Sequence, residues 1–135
     1  MGWLFCFIYF LNCRRYKNIR QLAELYSAAE VFVNPTWQDN YPTVNLEAIA
    51  CGTPVVTYRT GGSIEAVTEH TGLVVEQGDI DGLLKAIRTI EERGKAHYQQ
   101  PCRSYALANF KKEDRYAEYL ELYDELIGRN KKNAR

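Results

Sequence analysis

Hydrophobic positions along this chain follow two rhythms: short unbroken apolar runs, and longer stretches in which apolar residues recur every three or four positions. The runs predict strands buried on both faces, and the stretches predict amphipathic helices. The first run, residues 5–11, is rich in Phe, Ile and Tyr and reads as a strand. A polar loop, "NCRRYKN", leads to a helix, "IRQLAELYSAAE", with Leu22, Leu25, Tyr26 and Ala29 on one face. "VFVNP" is a short strand stopped by Pro35, and "WQDNY" is a loop. "PTVNLEAIACG" predicts a helix with Pro42 at its first position and Gly52 just past its end. "TPVVTY" and "GLVVE" are strands, separated by the "TGG" turn and by "SIEAVTE", which predicts one or two helical turns opened by Ser63. Asp79 caps a helix whose apolar face is Leu83, Leu84, Ile87 and Ile90. After a polar link around Pro101, "YALANF" and "DRYAEYLELYDELI" are helical. Tyr116, Tyr119, Leu120, Tyr123 and Ile127 form a stripe on the last helix, and "GRNKKNAR" reads as a frayed basic tail. Strands alternating with helices predict an α/β layer structure with a mainly parallel sheet. Ligands of such sheets bind at the carboxyl ends of the strands, where "TWQDNYP" falls.

Composition narrows the classes without naming one. A chain of 135 residues predicts a single domain. Its 17 basic and 17 acidic side chains balance, so no global field draws nucleic acid or an anionic membrane. Cys6, Cys13, Cys51 and Cys102 form no C-x-x-C pair, and His70 and His97 are far from any cysteine in sequence. Neither a metal site nor a disulfide framework is expected; free thiols of a reducing compartment fit better, which predicts a cytoplasmic location. The apolar run at residues 3–11 is too short to span a bilayer, and it lacks a preceding basic region and a following small-residue cleavage site.

Candidate chemistry concentrates at the start of "PTVNLEAIACG". The first amides of a helix have no internal acceptors, and the macrodipole adds partial positive charge there. The amides of Thr43, Val44 and Asn45 are therefore placed to meet a phosphate. Side chains lean toward the helix N-terminus, so Glu47, one turn after Thr43, reaches the same region. A carboxylate would repel the phosphate itself but can accept from a ribose diol, and Asp39 in the loop could do the same for a sugar. Residue chemistry equally allows Glu47 to face solvent and Asp39 to be a turn or cap residue. The Gly61-Gly62 pair either lets a ligand approach the backbone or forms a turn.

The stretch "NPTWQDNYPTVNLEAIACGTPVVTYRTGGSIEAV" resembles the signature of the retaining glycosyltransferases of the GT-B fold, the large group 1 family that includes sucrose- and mannosyl-type transferases. Asp39 and Glu47 stand with seven residues between them, as that family's paired acids do. Glu47-Ala48, Ala50, Gly52, Pro54-Val55-Val56, Gly61-Gly62 with Glu65, Gly72-Leu73-Val74-Val75 and Gly78-Asp79 follow in the family's order. "LAELYSAAEVFVNPT" is similar to the segment that precedes the motif, so the resemblance runs from about Leu22 to about Ile90. It implies a Rossmann-like sheet flanked by helices, part of the second domain of a GT-B enzyme. It also implies transfer of a sugar from a nucleoside-diphosphate sugar to a glycan or lipid-linked acceptor. By the resemblance, Asp39 and Glu47 are the catalytic-site acids. Glu47 binds the ribose, Asp39 contacts the transferred sugar and steadies charge at its anomeric centre, and the amides of Thr43 and Val44 meet the diphosphate. Asn40, Tyr41, Gly61 and Gly62 complete the donor site; no metal or cofactor is implied. The family's first acid is usually Glu, and Asn40-Tyr41-Pro42 replaces its glycine-aromatic-glycine, which leaves the sugar open.

The resemblance also implies what lies elsewhere. Residues 1–110 correspond to a partial nucleotide-sugar-binding domain beginning at its third strand, residues 111–128 to a C-terminal helix packing on it, and residues 129–135 to the frayed tail. The acceptor domain and the basic pair that usually neutralises the diphosphate are not in this sequence; Arg59 is the nearest cation and reads as a surface residue. The competing expectation is a non-catalytic α/β binding module or an inactive remnant of a glycosyltransferase gene. An unpaired apolar strand at residues 5–11 and an open edge at "VFVNP" predict pairing with each other or a homodimer. A location at the inner membrane face is the alternative to a freely cytoplasmic one.

Overall fold

The computed structural model describes residues 18–133, with side chains as far as residue 128. The strand expected at residues 5–11, and the dimer built on it, lie outside the described residues.

Helix α1 (Ile19–Ala28) opens on Asn18, whose side chain accepts from the Gln21 amide. Strand β1 (Phe32–Asn34) follows, then helix α2 (Thr43–Ala50), strand β2 (Val55–Tyr58), a 3-10 turn (Gly61–Ile64) and strand β3 (Gly72–Val75). Helices α3 (Ile80–Arg93), α4 (Lys95–Asn109) and α5 (Lys112–Asn133) complete the described chain.

The strands form one parallel sheet in the order β1-β2-β3. Phe32 pairs with Val55 and Val56 with Leu73. β2 is central and every one of its residues is buried, as expected of a strand covered on both faces. The core joins Ile49 of α2, Val55 and Val56 of β2, Ile90 of α3, and Tyr98 and Cys102 of α4. β1 has no described neighbour on its outer side.

Three local expectations are corrected. Pro42 is the N-cap of α2, not its first residue; its extended backbone (ψ 108°) precedes the first helical turn. "SIEAVTE" does not open a helix at Ser63: the 3-10 turn begins two residues earlier, at Gly61, and Ser63 is buried inside it. Pro101 does not break the chain, because α4 runs through it and buries Tyr98, Cys102 and Ala106 at four-residue intervals. That continuous face outweighs the one backbone donor that proline lacks. Gly94 makes the actual break: at φ 78° it ends α3 and starts α4.

The backbone of residues 129–133 continues α5. Every side chain of α5 from 112 to 128 is exposed. Its apolar residues have no cover there, although Lys112 sits over the Tyr116 ring and Arg115 pairs with Glu118 at 2.8 Å.

Candidate functional site

The carboxyl ends of β1, β2 and β3 feed three loops, and side chains lace these together. The Thr60 hydroxyl donates to the Thr36 carbonyl at 3.1 Å, and the Gln77 amide donates to the Trp37 carbonyl at 2.8 Å. The Trp37 ring meets Tyr58 edge to face at 6.3 Å while remaining largely exposed. The acid-bearing loop is thus clamped to its neighbours at the edge where the fold places ligands.

The glycine pair completes the clamp. The Gly62 amide donates to the Asp39 carbonyl at 3.3 Å. A Cβ on Gly61 would lie 2.1 Å from the Asp39 carbonyl oxygen, and one on Gly62 would lie 1.8 Å from that of Asn40. On the side where a Cβ would stand, each glycine meets the Asp39-Asn40 backbone. Their lack of side chains seats the acid loop.

Asp39 is half-buried, and its Oδ1 accepts from the Tyr41 amide at 3.2 Å, so the acid also shapes its own turn. Asn40 and Tyr41 are exposed. Partial burial, then the nearby Glu65 carboxylate and Tyr105, push the Tyr41 phenol up from its ordinary value. At the start of α2 the Asn45 amide turns back to the Pro42 carbonyl at 3.0 Å, so it does not point outward as expected. The amides of Thr43 and Val44 have no backbone acceptor among the described residues. Glu47 is exposed on α2, and its Oε2 accepts from the Tyr26 hydroxyl of α1 at 3.1 Å.

The Asn45 side chain was not singled out from sequence. It is 1% exposed. Its Oδ1 accepts from Asn34 at the end of β1 at 2.9 Å, and its Nδ2 donates to the Ser63 carbonyl in the 3-10 turn at 3.3 Å. One buried amide thus joins the strand that feeds the acid loop, the helix that offers its amides, and the glycine turn. A buried polar residue that uses both ends fixes the relative placement of the elements it joins. The only available sequence signal was an Asn within a helix whose other polar residues are Thr43 and Glu47.

Other candidates separate from this site. Arg59 is exposed and bound to Glu76 at 2.7 Å, as a surface arginine. A shallow depression of about 510 Å³ on α3 is lined by Asp81, Leu84, Lys85, Arg88, Thr89 and Glu92, and contains none of the candidate residues. Among the described residues no group of His, Cys, Asp or Glu is placed to hold a metal, and no helix is long and apolar enough to cross a membrane.

The family model "Glycosyl transferases group 1" matches residues 10–93, well over half the chain. The chain belongs to the group 1 glycosyltransferase family. It is 43% identical over 70 residues to a D-inositol 3-phosphate glycosyltransferase of Kribbella flavida, covering 51% of this chain and 16% of that one. It is 42% identical over 77 residues to the enzyme of that description from Geodermatophilus obscurus, covering 56% of this chain and 17% of that one. The solved sucrose-phosphate synthase of Thermosynechococcus elongatus superposes with a TM-score of 0.73 and 34% identity, over 80% of this chain and 28% of that one. The chain therefore spans about a sixth of these curated relatives' length. The parallel sheet with flanking helices is the Rossmann-like arrangement expected of part of a GT-B domain.

Proposed function

We propose that this chain is the donor-binding part of a retaining glycosyltransferase, which moves a sugar from a nucleoside-diphosphate sugar to a glycan or lipid-linked acceptor. The observation that carries this reading is the clamp at the carboxyl edge of the sheet. The acid loop, the α2 amides and the glycine turn are held as one unit by Asn45 and by the Gly62–Asp39 contact. The amides of Thr43 and Val44, which have no backbone acceptor among the described residues, meet the diphosphate, and Glu47 takes the ribose hydroxyls. Asp39 faces the transferred sugar and stabilises positive charge as the anomeric bond breaks. Asn40 and Tyr41 line the donor, while Gly61 and Gly62 hold the loop that presents Asp39. The acceptor is bound by a separate domain of the cytoplasmic enzyme, and no metal takes part. Because positioning both substrates in a closed cleft supplies much of the rate, this chain alone binds donor weakly and does not transfer.

Titration of the ¹⁵N-labelled chain with UDP, GDP and ADP tests this. Amide shifts should cluster at residues 39–47, and Glu47→Gln should weaken binding by about tenfold, the worth of a charge-assisted hydrogen bond. Shifts that centred on the α3 depression, or no binding at all, would favour a non-catalytic module.

A further inference from the structure

Resting on the donor-binding reading above, we propose that Tyr26 is the positioning residue for Glu47. Its hydroxyl holds one carboxylate oxygen so that the other is presented to the ribose diol.

Tyr26 sits in the last turn of α1, and its surroundings leave it little freedom. Its ring packs edge to face on Phe32 at 5.3 Å, and its carbonyl accepts from the Thr53 hydroxyl just before β2. The next turn is bolted as well: the Lys95 ammonium donates to the Ser27 carbonyl and, at 2.6 Å, to the Ala29 carbonyl. The core thus fixes where the phenol oxygen lies. Glu47 is the opposite case, an exposed side chain with three rotatable bonds that samples several rotamers unless something holds it. The 3.1 Å bond from Tyr26 to Oε2 connects the fixed group to the free one. No described residue bonds Oε1, and a carboxylate with one oxygen engaged keeps acceptor sites for two hydroxyls. Ordering Glu47 before the ligand arrives removes part of the entropy cost of binding. At 3.1 Å the bond is long for a hydroxyl on a carboxylate, so the effect is modest.

A buried phenol needs a hydrogen-bond partner whatever its function, so the test must separate ribose recognition from stability. Tyr26→Phe keeps the ring and removes only the oxygen. Affinities of wild type, Y26F, E47Q and the double variant would be measured for UDP, GDP and ADP and for their 2′-deoxy forms. The expected result is a loss of about three- to tenfold for the ribonucleotides in Y26F, with little change for the deoxy forms. In the E47Q background, Y26F should cost nothing more, because the two act through one contact. Equal losses on ribo and deoxy forms, or additive losses in the double variant, would overturn the assignment. The wild type supplies a second readout if Y26F folds poorly. The Tyr26 ring-carbon resonance next to the hydroxyl should move on saturation with ribonucleotide, and a shift of equal size with the deoxy form would also overturn it. Absence of binding to any of the three by the wild type would remove the donor-binding reading itself, and this inference with it.

Discussion

Helices α2 and α5 relate pattern to structure in opposite ways. α2 has eight residues and apolar groups on nearly every side, and it buries Asn45, Ala48 and Ile49. A helix that short is not stable in water alone, so its conformation is imposed by β1, β2 and α4 packed around it. α5 has 22 residues and a clear apolar stripe, yet every described side chain on it is exposed. Length and local pairs such as Arg115–Glu118 support it instead. Apolar spacing states that a helix has a face to bury; it does not state against what.

The largest test of this contrast is a pair of truncations. Ile49→Ala should destabilise the protein by about 2–5 kcal/mol, since the side chain is fully buried. Leu120→Ala, on the exposed stripe, should stay within about 0.5 kcal/mol. Chemical denaturation measures both. A loss for Leu120 comparable to that for Ile49 would show that α5 is covered after all.

Gly62→Ala should come next. Its new Cβ would lie 1.8 Å from the Asn40 carbonyl oxygen, so backbone must move. The expected cost is about 1–3 kcal/mol, as for other overpacked sites, with amide shifts concentrated at residues 39–41. An unchanged loop would mean that the clamp is looser than its contacts indicate.

The last effect appears only above neutral pH, at α4, which packs against α2. Burial pushes the Cys102 thiol up from 9.0 to about 12. Between those values the folded state keeps a proton that the unfolded chain has lost. Stability from this group is therefore complete below about pH 9 and falls as pH rises toward 12. Lys95 acts in the opposite sense, because burial lowers its pKa and the unfolded chain then holds more protons. Cys102→Ala should flatten the decline expected of the wild type between pH 9 and pH 11. Equal slopes in denaturant titrations of the two proteins would contradict it.

The local pattern alone determined most of the elements. β2 reads as a strand because parallel strands covered on both faces are apolar throughout, and the Asp79 cap is legible because its carboxylate serves the amide of Gly82, three residues on. The spacing of Asp39 and Glu47 and the motifs around them were enough to point to the family. Asp39 bonds the Tyr41 amide two residues on, a turn that local chemistry allows, but what Glu47 touches was decided only by the tertiary structure. Tyr26 and Glu47 are 21 residues apart, and Asn45 and Ser63 are 18 apart. Neither separation leaves a trace in a 3.6- or 2-residue period. The same holds for Pro101, which local chemistry reads as a break and α4 accommodates because Tyr98, Cys102 and Ala106 bury one continuous face. Periodicity reports which side of an element avoids water. Buried polar atoms instead require particular partners, and only the folded sheet, by bringing β1, α2 and the glycine turn to one edge, supplies them.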